Sequence, residues 1–190
     1  NSLIGLTICD LTGRFICVND RFCQISGYTK EELQKMTYLD ITYEEDKELN
    51  KEMSQKLLEG EIPSYTLIKR YVCKDSSLLW INLKVSLIYD GTGKPLFFVG
   101  NIDDISKQIK NETQLEETNT LLFYTLNAIP DIITILGKDF DVIRYNKAGY
   151  DFLNVTEESI KNKKCYELFG NGKLCEKCPT KLAYKTKEKS

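Results

Sequence analysis

Apolar positions along this chain change spacing several times, and each change marks an element. Ile4 to Cys9 and Arg14 to Val18 are short runs rich in β-branched and aromatic residues, joined by Asp10-Leu11-Thr12-Gly13. Asp and Gly supply turn chemistry there, so the pattern predicts a strand pair. Asn19 or Asp20 then caps a short helix that carries Phe22, Cys23 and Ile25 and ends at Gly27. Thr29-Lys30-Glu31-Glu32, ahead of Leu33, has the spacing of a capping box. Across residues 44–59, Leu49, Met53, Leu57 and Leu58 follow a helical period that Gly60 stops. Beyond Pro63 the period changes to that of strands. Leu67 to Val72 and Leu79 to Tyr89 are joined by Lys74-Asp75-Ser76-Ser77, and Asp90 to Pro95 turns the chain into a last run, Leu96 to Ile102. This order predicts an α+β fold: a five-stranded antiparallel sheet with helices inserted after the second strand.

Strand alternation assigns faces. Ile81, Leu83, Val85 and Leu87 share one side; Trp80, Asn82, Lys84 and Ser86 share the other; Phe98, Gly100 and Ile102 share a side of the last strand. Asp103-Asp104-Ile105-Ser106 closes the sheet, and polar helical sequence follows to Asn127. Ile105, Leu115, Leu122, Leu126 and Ile129 fit a heptad seam that Gln108, Glu112 and Asn119 interrupt, which predicts a weak coiled coil. A second unit then repeats the opening of the first. Asp131 to Leu136 stands for the first strand, Val142 to Asn146 for the second, Lys147 to Leu153 for the Phe22 helix, and Thr156-Glu157-Glu158 for the Thr29 box. The expected divisions are 1–106, a linker helix 107–127, and the front part of a second unit at 128–190, in a piece of a longer polypeptide.

Composition narrows the chemistry. The chain has 190 residues, no histidine and a formal charge of −2 from 26 basic and 28 acidic side chains. Without histidine there is no His-ligated haem, no Ser-His or Cys-His nucleophile and no phospho-accepting His in this stretch. The balanced charge gives no pull toward nucleic acid, and no apolar run is long enough to span a bilayer. Seven cysteines, an odd number, read as thiols in a reducing, cytoplasmic setting rather than as a disulfide scaffold. Gly91-Thr92-Gly93-Lys94 lacks P-loop spacing and reads as a hairpin turn.

The stretches VNDRFCQISGYTKEEL, KRYVCKDSSLLWINLKVSLIYDGTGKP and LFFVGNIDDISKQI, in that order, resemble a PAS domain with its C-terminal PAC segment, over residues 3–107. Residues from about 128 resemble the front half of another. The resemblance implies the PAS fold, a sensory or dimerising role, and an interior lined by Thr7, Cys9, Phe22, Tyr38, Ile41, Tyr71, Ile81, Leu83, Val85, Phe98, Gly100 and Ile102. That interior either receives a small ligand, with room left at Gly100, or is filled by the core itself. It also implies that Asp103, Asp104 and Ser106 cap the linker helix, either as a signal relay or as an ordinary cap. Trp80, on the opposite face, either meets the linker helix or a partner subunit or lies at the surface.

Flavin-binding PAS domains of the light-sensing type place a photoreactive cysteine ten residues after the Tyr28 position; Tyr38 stands there, which speaks against a flavin adduct. Cys165, Cys175 and Cys178 resemble a cysteine-bearing PAS subgroup. They read as three ligands of a zinc or iron–sulfur centre needing a fourth from Glu167, Glu176 or elsewhere, as a redox dithiol, or as residues without special role. The resulting expectation is a homodimeric, non-catalytic sensory region, cytoplasmic or the cytoplasmic portion of a membrane-tethered sensor. It binds an unidentified small ligand or responds to a redox cue, and relays this through the helical linker to an output domain, a histidine kinase first and a diguanylate cyclase or transcriptional regulator next. The alternative is a ligand-free relay with sensing by the cysteines.

Overall fold

The computed structural model describes residues 3–170, 172–178 and 180–182. It divides into two units, Asn1–Gln114 and Leu115–Ser190. In the first, β1 (Gly5–Cys9) and β2 (Phe15–Val18) are followed by α1 (Asp20–Ser26), α2 (Lys30–Leu33), a single 3-10 turn (Glu44–Asp46) and α3 (Lys47–Leu58). Then come β3 (Ser64–Val72), β4 (Leu78–Tyr89) and β5 (Pro95–Asp104). The strands form one antiparallel sheet in the order β2-β1-β5-β4-β3. The first and last strands in sequence thus pair at the centre, and the helices between β2 and β3 cover one face. α4 (Ser106–Ala128) follows β5, and the boundary between the units falls within it.

Local chemistry accounts for these elements. Asp10 Oδ1 accepts from the backbone N–H groups of Thr12 (2.9 Å) and Arg14 (3.0 Å), while Gly13 takes φ +89°, closing the first hairpin. Asn19 caps α1 by accepting from Phe22 N (3.0 Å), and the same oxygen accepts from Leu6 N (2.9 Å), so the cap also pins β1. Thr29 and Glu32 form the expected capping box. Ser76, in the β3–β4 hairpin, takes φ +68°. A residue with a Cβ pays about 1–2 kcal/mol in that region. Ser76→Gly is therefore expected to raise stability by about 0.5–1 kcal/mol after the entropy of the unfolded glycine is counted, seen as a higher urea midpoint; an unchanged or lower midpoint would contradict it.

The core is the inner sheet face with the helices on it: Phe15, Phe22, Leu33, Ile41, Leu57, Tyr71, Ile81 and Ile102 are almost wholly buried. The side of α3 that turns inward differs from the apolar reading. Asn50, Ser54 and Leu57 are buried, whereas Leu49 is 49% exposed. The helix is rotated by about one residue from its leucine stripe, because Lys69 and Tyr65 on β3 need polar partners beneath it.

The second unit contains β6 (Thr134–Leu136), β7 (Val142–Tyr145), α5 (Lys147–Leu153) and α6 (Cys165–Leu168). The internal repeat is physical. Asn146 Oδ1 accepts from Gly149 N and Ile133 N, as Asn19 Oδ1 does from Phe22 N and Leu6 N. Its first strand is shorter than expected, Thr134–Leu136. Thr156 and Ser159 bond reciprocally, as a capping pair would, but close a turn and not a helix. A small core of Val142, Tyr145 and Ile160 holds this unit together.

Candidate functional site

The register of the sheet places Thr7 opposite Gly100, Gly100 opposite Val85, and Val85 opposite Tyr65. One rung across four strands therefore runs polar, empty, apolar, polar. A cavity of about 30 Å³ lies over this rung, lined by Thr7, Cys9, Phe15, Tyr38, Asn50, Ser54, Tyr65, Tyr71, Leu83, Val85, Phe98 and Gly100. At about 10–15 Å³ per water, it holds roughly two waters or a molecule of a few heavy atoms. That is far below the about 300 Å³ or more of a pocket for a drug-sized ligand.

Of the residues expected in the interior, Thr7, Cys9, Tyr38, Tyr71, Leu83, Val85, Phe98 and Gly100 line this cavity. Phe22, Ile41, Ile81 and Ile102 do not; each is fully buried in the packed core. The room expected at Gly100 is already taken: a Cβ there would lie 2.6 Å from Thr7 Oγ1. The Thr7 hydroxyl stands over the glycine and reaches its carbonyl only at a long 3.5 Å.

The apolar reading missed the polar wall. Lys69, 1% exposed, donates to Thr42 Oγ1 (2.9 Å) and to Asn50 Oδ1, and its ammonium lies 4.3 Å from the centre of the Tyr71 ring. Asn50 Nδ2 donates to the Tyr65 hydroxyl (3.1 Å), which is 2.9 Å from Ser54 Oγ, and the Tyr38 hydroxyl lies 3.2 Å from Ser54 Oγ. Among the described residues no carboxylate bonds Lys69. Asp46, whose charge acts on it, is held by Arg70, accepting from its N (2.7 Å), Nε (3.0 Å) and a terminal nitrogen (2.7 Å). Burial lowers the Lys69 ammonium to about 7, against the opposing pull of Asp46 and Cys9. Burial likewise pushes the Cys9 thiol and the Tyr65 hydroxyl up to about 12, so both stay protonated at neutral pH. The signal for this wall lay in the alternation of β3: Tyr65, Leu67, Lys69 and Tyr71 share the inner face.

On the opposite face Arg70 continues the connection. Its guanidinium lies 4.2 Å from the Tyr43 ring and 5.2 Å from the Trp80 ring. Trp80 is partly exposed, and its main chain holds the start of α4: Trp80 N–H donates to Ser106 Oγ (3.1 Å), and Ile105 N–H donates to Trp80 O (3.0 Å). Asp104 accepts from Ser106 N (3.0 Å), whereas Asp103 is exposed. Of the two aspartates, Asp104 makes the cap.

The cysteines divide differently. Cys165 opens α6 and is half-buried, Cys175 is exposed and Cys178 is buried. Burial raises the Cys165 thiol, and the neighbouring Cys178 and Cys175 push it the same way, which leaves it a poor thiolate. Among the described residues no group of three or more Cys, Asp or Glu is placed to hold a metal ion. Glu167, one expected fourth ligand, is turned back to accept from Lys164 N (3.0 Å) at the start of its own helix. Among the described residues Glu167 therefore does not complete a metal centre with the three cysteines. No described helix is long and apolar enough to cross a membrane.

Comparison with known proteins agrees with this architecture. Residues 15–102 match the family described as PAS fold, and residues 130–189 match the family described as PAS domain. The chain is 38% identical over 125 residues to a probable diguanylate cyclase, DgcE, of Escherichia coli, covering 63% of this chain and 11% of that protein. It is 27% identical over 117 residues to the sensor histidine kinase TmoS of Ectopseudomonas mendocina, covering 62% of this chain and 12% of that protein. A crystal structure of a PAS domain from Colwellia psychrerythraea shares the fold, with a TM-score of 0.52 at 23% identity, over 56% of this chain and 89% of that one. With the sheet order, the inserted helices and a family match in each unit, the chain is a tandem of PAS domains, homologous to the sensory regions of signalling enzymes.

Proposed function

We propose that the first PAS unit is a sensory module that holds a small molecule in the Thr7–Phe98 cavity and passes its presence to α4, and through it to an output domain. The observation that supports this is continuity. Lys69 and Tyr71 form the inner wall of β3, Arg70 between them lies over Trp80, and Trp80 holds Ile105 and Ser106 at the first turn of α4. A ligand that moves β3 changes what anchors the helix. That is a bistable contact which a ligand biases by its differential affinity for the two arrangements. The output is a signalling enzyme. The higher identity to the diguanylate cyclase than to the histidine kinase supports reading the output as a cyclase before the kinase that the sequence alone favoured. This stretch itself is sensory, and catalysis belongs to the output.

Trp80 is the only tryptophan, so it reports on this path directly. Gentle purification followed by native mass spectrometry is expected to find a small molecule bound one to one. Stripping it should shift Trp80 emission and speed hydrogen exchange at the amides of Ile105 and Ile109. Arg70→Met should leave binding in place and uncouple both readouts. Bound and stripped chains with the same emission and the same exchange would overturn the relay.

A further inference from the structure

The proposed ligand site has a definite chemical polarity. Tyr38, Ser54 and Tyr65 bring three hydroxyl hydrogens to two mutual contacts, 3.2 and 2.9 Å long. One hydrogen is left over whichever way the network is oriented, and all three residues line the cavity. Thr7 supplies a second O–H, weakly engaged at 3.5 Å. The Asn50 carbonyl oxygen, the natural acceptor of this wall, is already taken by Lys69. Behind Asn50 stands that lysine, buried and bonded by no carboxylate among the described residues, while the acid nearest in effect is committed to Arg70. Buried charges are ordinarily paired. Leu83, Val85 and Phe98, on the sheet side, are apolar.

Resting on the reading that this cavity is the ligand site, we infer that it takes a small monocarboxylate of formate or acetate size. The carboxylate oxygens accept from the spare hydroxyl and from Thr7, the charge balances Lys69 through Asn50, and the methyl of acetate lies against Val85 and Phe98. The volume, about two waters, admits three or four heavy atoms and excludes larger acids without rearrangement.

The field of Lys69 couples binding to pH. The groups around its ammonium are Thr42, Asn50, Tyr38 and Tyr71, with the charges of Asp46 and Cys9 acting on it. Cys9 and Tyr65 stay protonated to about 12, so Lys69, at about 7, is the group that changes charge near neutrality. Carboxylate affinity is expected to fall by about tenfold between pH 6.5 and 8.5 as that charge is lost.

The test titrates the full chain with sodium acetate against sodium chloride at equal ionic strength, followed by NMR shifts and Trp80 emission. Acetamide serves as the neutral isostere and sodium nitrate as the planar anion without a methyl. Acetate should saturate at one site, with acetamide about tenfold or more weaker and nitrate intermediate. Thr7→Val and Lys69→Met, checked for native circular dichroism, should each weaken acetate by about tenfold. Acetamide binding as well as acetate, or folded Lys69→Met keeping full affinity, overturns the carboxylate assignment and leaves a small-ligand site. Acetate without effect while another molecule co-purifies in the cavity overturns the assignment alone. No saturable ligand of any kind in a folded chain removes the sensory reading with it.

Discussion

Lys69→Met is expected to remove a rise in stability that the native chain shows as pH increases from about 7 to 10.5. The folded ammonium is lowered to about 7 from an ordinary 10.5 because burial strips its water. Between those values the unfolded chain binds a proton that the folded chain does not, so unfolding stability climbs with pH. Below about 7 both states are charged and the full desolvation cost is present; above 10.5 neither is, and the cost is gone. Each unit is worth about 1.4 kcal/mol, so native minus variant should move by about 3–5 kcal/mol in favour of the native chain across the window. Cys9, Tyr65 and Tyr71 have raised values and oppose this at high pH, since their protonated forms are what burial favours. Tyr65 and Tyr71 are present in both proteins and cancel in the difference, and Cys9, on which Lys69 acts, stays protonated up to about 12 and so does not enter the window. Urea unfolding of the two chains at pH 6, 7, 8 and 9 measures the first part of it, about 2–3 kcal/mol. Parallel curves would mean that Lys69 keeps an ordinary ammonium and that the polar wall does not carry the electrostatics assigned to it.

That wall shows where sequence reading stops. The strand pair, a cap at Asn19 or Asp20, the Thr29 box and the alternation of β4 and β5 are local, decided by neighbours within a few residues, and they were legible. So was the repeat, because Asn19 and Asn146 do the same work at the same place in their units. The inward face of α3 was not. Leu49, Met53 and Leu57 and Asn50, Ser54 and Leu57 are both helical stripes, and hydrophobicity alone chooses the first. The choice is made by β3, which turns Lys69 and Tyr65 inward and needs Asn50 and Ser54 to satisfy them. The two segments are too far apart in sequence for any local period to register that demand. Gly100 is a related case. A missing side chain reads as space, but the antiparallel register sets Thr7 opposite it, and the hydroxyl moves in. Among the cysteines the converse holds at one point: spacing makes Glu167 a candidate fourth ligand, but spacing does not say that Glu167 is spent on its own helix cap.

Phe22→Ala is expected to lower stability by about 3–5 kcal/mol, the largest loss argued for any single side chain here. Phe22 is fully buried, its ring 5.8 Å from Phe15 and 5.9 Å from Tyr71 by centroids, and its Cβ would lie 3.3 Å from a Cβ built on Gly5. Packing this tight leaves little to collapse into the hole. Phe22→Leu, nearer in volume, should cost about 1–2 kcal/mol and preserve the fold. The pair also separates two roles for the residue. The resemblance counted Phe22 among ligand contacts, whereas the geometry places it behind Phe15 and Tyr71, outside the cavity. Phe22→Leu should therefore lose stability and keep acetate affinity, while Thr7→Val, which gives up only a long 3.5 Å contact, should keep most stability and lose affinity. Urea midpoints and acetate titrations of both variants resolve this. If Phe22→Leu weakened acetate as much as Thr7→Val, the ligand would have to extend past the two aromatic rings into the core, and the boundary drawn for the cavity would be wrong.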